Sequence, residues 1–84
     1  MYREEMRNFE VAETSGDTRT RLSNKTDKEL IKFLIDVNKS IKSGFEYAIY
    51  YQEWSVGMDI LRKRGYVILR PSELEEIAKN LNIQ

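Results

Sequence analysis

A chain of 84 residues with no cysteine and no histidine leaves room for one small domain. It excludes a disulfide framework, a thiolate metal site and an imidazole base together. Its 14 basic and 14 acidic side chains cancel to a net charge of zero, which argues against a dedicated nucleic-acid binder, whose affinity rests largely on phosphate contacts.

No apolar run approaches the length needed to cross a bilayer, and Met1-Tyr2-Arg3-Glu4-Glu5-Met6 lacks the apolar core of a signal peptide. A cytoplasmic setting is expected. Abundant Lys, Ile, Asn, Glu and Tyr fit an AT-rich coding genome, as in low-GC bacteria, their phages and mobile elements.

Residues 1–25 are polar and show no sustained helical stripe, so they read as an N-terminal arm preceding a helical domain over residues 26–84. Asn8-Phe9-Glu10-Val11-Ala12-Glu13 alternates apolar and polar residues, the pattern of a half-buried strand. Ser15-Gly16-Asp17 reads as a turn and Thr18-Arg19-Thr20-Arg21-Leu22 as a return strand. A flexible arm is the competing expectation.

The first predicted helix opens at Thr26. Thr26-Asp27-Lys28-Glu29 is a capping box, with acidic residues at the positive end of the helix dipole. Leu30, Phe33, Leu34, Val37 and Ile41 share one face, widened by Ile31 and Ile35. Ser43-Gly44 ends the helix, since glycine readily takes the left-handed conformation of a C-terminal cap.

A second helix is predicted from Phe45 to Arg64, capped by Gly65. Gly57 inside it costs about 1 kcal/mol against alanine, so it marks a close approach or a kink. Tyr66-Val67-Ile68-Leu69-Arg70 is rich in β-formers and has the length of a short strand. Pro71 stops it. Ser72-Glu73-Leu74-Glu75 is a second capping box, and Leu74, Ile77, Ala78 and Leu81 stripe the last helix. The expected fold is mainly α: a small three-helix bundle with a helical hairpin around Gly44. A short β element could join the N-terminal arm to residues 66–70.

Catalytic sets are missing. There is no nucleophile–base pair, no phosphate-cradling loop and no calcium-loop ligand ladder. Glu73, Glu75 and Glu76 occupy a helix first turn, where carboxylates are expected for dipole reasons. The expectation is a protein without enzymatic activity, metal or cofactor.

The informative element is the second helix. At about 100° per residue its apolar side chains divide into two groups. Phe45, Ile49, Val56 and Ile60 lie on one side. Tyr47, Tyr50, Tyr51, Trp54, Met58 and Leu61 lie on the other. A surface helix needs only one apolar face. In one reading this helix is the hub, covered by the first helix on one side and by the last helix with the strand on the other. Ile49 and Leu61 are then both largely buried. In the second reading, part of the Tyr47, Tyr50, Tyr51, Trp54 and Met58 face stays open to a protein partner or a second copy. Tyr and Trp dominate interface energies, and Met adapts to irregular surfaces. Tyr47 and Tyr50, at the edges, are then the members expected to be exposed.

The basic group Arg62, Lys63, Arg64 and Arg70 offers a candidate site for phosphate or an acidic surface, against the alternative of cations supplied to a helix C-terminus. Residues 71–83 resemble the first helix and turn of a helix-turn-helix unit, but the segment is acidic and no recognition helix follows. The leading expectation is a regulator or inhibitor that binds a protein partner, of phage or mobile-element type. The alternatives are a nucleic-acid-binding regulator and a structural homo-oligomer.

Overall fold

A computed structural model describes residues 14–83. Four helices make up 71% of the described residues: α1 (Ser15–Ser23), α2 (Asp27–Lys42), α3 (Ala48–Lys63) and α4 (Ser72–Asn80). Together they form a small helical bundle, and the described residues contain no strand.

Helix α1 corrects the expectation of a turn and a return strand. The Thr14 hydroxyl accepts from the Asp17 N–H at 3.1 Å, and the Asp17 carboxylate accepts from the Thr14 N–H. Thr14-Ser15-Gly16-Asp17 is thus a capping box, and Ser15-Gly16-Asp17 is a helix first turn. Thr18 and Leu22, one turn apart, are the buried residues of α1. The expected strand at residues 8–13 lies outside the described residues.

In α2 the capping box forms as its sequence predicts, with Glu29 and Thr26 bonded reciprocally at 2.9 and 3.2 Å. Leu30, Ile31, Leu34 and Val37 turn into the core. The helix ends at Gly44, whose φ of +100° suits glycine. The Phe45 N–H reaches the Ser40 carbonyl at 3.0 Å and the Gly44 N–H the Ile41 carbonyl at 3.1 Å, the paired bonds of a Schellman motif. This motif spends Phe45 on the turn, so α3 begins at Ala48 rather than at Phe45.

Helix α3 is the central element. Both α1 and α2 pack along it, while α4 packs on α2. The cover on the second side of α3 is therefore α1, not the last helix with a strand. Gly57 marks a close approach: a Cβ there would stand 2.6 Å from Leu34 Cδ2 and 3.1 Å from its Cγ. Leu61 is fully buried. Ile49, in the first turn of α3 beside the α2–α3 turn, is only half-buried.

Gly65, at φ +105°, ends α3 with a second Schellman pair: Tyr66 N–H to Leu61 O and Gly65 N–H to Arg62 O. Residues 66–69 then run without helix or ladder. Ile68 is anchored in the core while Val67 and Leu69 are 79% and 81% exposed. The alternation of a strand is present, but among the described residues it pairs with no other strand, and the expected return strand at residues 18–22 is helix α1.

Pro71, not Ser72, is the N-cap of α4, and it supplies no side-chain bond. Glu73 does the capping work from inside the first turn. Its Oε1 accepts the N–H of Arg70 at 2.7 Å and that of Leu69.

Candidate interaction surface

The aromatic row of α3 divides along the helix. Toward its C-terminal half Met58 is only 4% exposed and sits in the core with Leu61. Trp54, one turn earlier, is half-buried against that core. Toward the N-terminus the cover runs out. Tyr50 is half-buried, Tyr47 is 36% exposed and Tyr51 is 48% exposed. The Tyr47 and Tyr50 rings meet edge to face, 5.6 Å apart at 73°, a favoured geometry for an aromatic pair.

Phe45 joins this end of the molecule. It is 53% exposed and leads through Glu46 into Tyr47. The structure thus brings together Phe45, Tyr47, Tyr50 and Tyr51 at the α2–α3 turn. It leaves Met58, and in part Trp54, to the core. Two expectations change. Tyr51 exceeds Tyr47 and Tyr50 in exposure, and Phe45 joins the aromatic end although helical periodicity assigned it to the opposite side. The signal for Phe45 was Gly44: a left-handed cap there takes the next residue out of helical phase.

On the flank of α3 facing α1, polar pairs border the contact. Arg21 reaches Glu53 at 2.8 Å, Arg19 reaches Asp59 at 2.8 Å, and the Gln52 amide donates to the buried Thr18 hydroxyl at 2.7 Å. Glu53 is buried. The hydrogen bond from Arg19, then that from Lys63, holds the Asp59 carboxyl below its usual range.

The basic group does not converge on one point. Arg64 binds Asp27 at 2.7 Å and donates to the Ser23 carbonyl at 3.0 Å. Lys63 pairs with Asp59 at 3.3 Å, one turn away. Arg62 points back to the Ile68 carbonyl at 3.5 Å. Arg70 is exposed in the linker before α4. Asp27 also accepts from the Tyr66 hydroxyl at 2.8 Å. That bond, then the one from Arg64, depresses the Asp27 carboxyl, and the same bond raises the Tyr66 phenol. Asp27, Arg64 and Tyr66 therefore clasp the ends of α1, α2 and α3 together.

Of the first-turn carboxylates of α4, Glu73 is committed to the Leu69 and Arg70 N–H groups, while Glu75 and Glu76 are exposed. Among the described residues no group of three or more acidic side chains is placed to hold a metal ion. No described helix is long and apolar enough to cross a membrane. Set against known proteins, the chain matches no family model, no curated protein and no solved structure.

Proposed function

We propose that this chain is a non-catalytic regulator or inhibitor that acts by binding a protein partner through Phe45, Tyr47, Tyr50 and Tyr51. The observation that supports this reading is the exposure of Tyr51 and Phe45, about half each, beside two tyrosines in edge-to-face contact. Aromatic side chains held rigid at a surface give a partner large contact area at small entropic cost. The size and composition of the chain fit a phage or mobile-element regulator working in the cytoplasm of a bacterium.

The nucleic-acid alternative draws less support, because Arg62, Lys63 and Arg64 each have an intramolecular acceptor. A salt-dependent gel shift would favour it, and light scattering at two concentrations would reveal a homo-oligomer.

The deciding experiment is capture from a bacterial lysate with the unaltered chain, Tyr51→Ala and Phe45→Ala. Both variants should keep the melting temperature and lose the captured protein. Full retention of that protein by both variants would sink the proposal.

A further inference from the structure

The flank of α3 beneath helix α1 is a different face of the molecule from the aromatic end. Helix α1 buries only Thr18 and Leu22, and the rest of its attachment is charged or polar. Nine residues are too few for a helix to persist on its own in water. What α1 covers is an apolar strip with acidic margins. At 100° per residue, Val56 and Ile60 fall between Asp59 and Glu53 on the surface of α3. Val56 and Ile60 are both buried, and Glu53 is 8% exposed. With α1 absent, the Glu53 carboxylate would stand beside an uncovered apolar strip, an arrangement that calls for a cation with an aliphatic neighbour.

We propose that α1 is a displaceable cover, and that the strip of α3 beneath it accepts a basic amphipathic helix from a partner in its place. The partner chemistry follows from α1 itself: Arg19 and Arg21 meet Asp59 and Glu53 while Leu22 is fully buried. A competing helix needs two cations in that spacing and one aliphatic residue to follow them. Because the Arg19–Asp59 pair is partly solvent-exposed on both sides, salt weakens the cover more than the core. This surface is independent of the aromatic end of the hairpin.

The test uses the full chain, a fluorescein-labelled peptide spanning residues 14–25, and the double variant Arg19→Glu/Arg21→Glu. In the unaltered protein, native-state hydrogen exchange should show α1 amides opening separately from those of Leu34, Val37 and Leu61. That opening should increase as salt rises to about 0.5 M, where the Debye length has shortened to about 4 Å. In the double variant the tethered helix is repelled, so the wild-type peptide should bind at least about tenfold more tightly than to the unaltered protein. A peptide carrying the same two reversals should not bind the unaltered protein.

Three results would overturn the proposal. One is exchange of α1 at the same rate as the core. Another is equal affinity, or no binding, of the wild-type peptide for both proteins. The third is loss of core protection in the double variant, because the packing of α2 and α3 would then depend on α1. A second copy donating its own α1 would appear as a concentration-dependent dimer of the unaltered protein that the wild-type peptide dissolves, and it would support the same surface.

Discussion

Gly57 is the residue on which the α2–α3 contact turns. Alanine is the better helix former by about 1 kcal/mol, so an exposed glycine in α3 would be improved by the change. Here the added methyl would overlap the fully buried Leu34 side chain, and overpacking in a tight core costs about 1–3 kcal/mol. Gly57→Ala should therefore lower stability by about 1 kcal/mol net, measured as a fall in the urea midpoint with unchanged slope. A gain in stability would mean that Leu34 yields freely. Leu61→Ala, by contrast, creates a cavity at a fully buried position and should cost about 2–5 kcal/mol. Sequence spacing was enough to read Gly57 as either a close approach or a kink. Choosing between them required knowing that Leu34 lies opposite, which is a relation between helices and not a property of α3.

At the level of elements, two glycines stop two helices in the same way with different results. After Gly65, Tyr66 turns inward and its hydroxyl reaches Asp27. After Gly44, Phe45 is left half in water. The sequence marked both stops correctly, because a left-handed cap is written in one residue. It could not tell where the next side chain would go. The N-terminal segment shows the reverse. Thr14-Ser15-Gly16-Asp17 carries a capping box, as α2 does, yet only Leu22 supplies aliphatic bulk to the helix behind it. Without an apolar stripe, periodicity offered nothing to recognise, and Ser-Gly-Asp looked like turn chemistry. Helix α4 supplies a prediction of its own. Since Glu73 and not Ser72 bonds the N–H groups ahead of the helix, Ser72→Ala should be neutral within about 0.5 kcal/mol. Glu73→Ala should cost about 1 kcal/mol, in the range of a lost cap. Chemical denaturation of the two variants separates the possibilities.

Across the whole molecule the charges balance, so stability against pH follows from individual groups. The carboxyls of Asp27, Glu29, Asp59 and Glu73 all lie below their ordinary range. The causes are, in turn, the Tyr66 and Arg64 bonds, the Thr26 cap, the Arg19 and Lys63 bonds, and the N–H groups of Arg70 and Leu69. A group depressed in the folded state stabilises it above the unfolded pKa and loses that contribution as pH falls through the folded value. Unfolding free energy should hold level through neutrality and decline below about pH 5, where unfolded carboxyls begin to take up protons. Tyr66 is raised, so its contribution is complete below the unfolded value and fades as pH rises above about 10. Tyr66→Phe should remove that alkaline decline and leave most of the acid decline in place. An alkaline limb unchanged in this variant would remove Tyr66 from the account.

The linker between α3 and α4 has a consequence for how the protein behaves at high concentration. Tyr66-Val67-Ile68-Leu69 has the composition of a fibril-forming segment, and two of its apolar side chains are almost wholly in water. What restrains it from templating neighbouring chains is that part of its backbone is already occupied. Arg62 donates to the Ile68 carbonyl, Glu73 accepts from Leu69 and Arg70, and Pro71 has no N–H to offer. Glu73 is thus a guard of colloidal behaviour as well as a helix cap. In Glu73→Ala the lag before thioflavin-positive aggregation should shorten far more than in Gly57→Ala, although the two variants lose similar folding free energy.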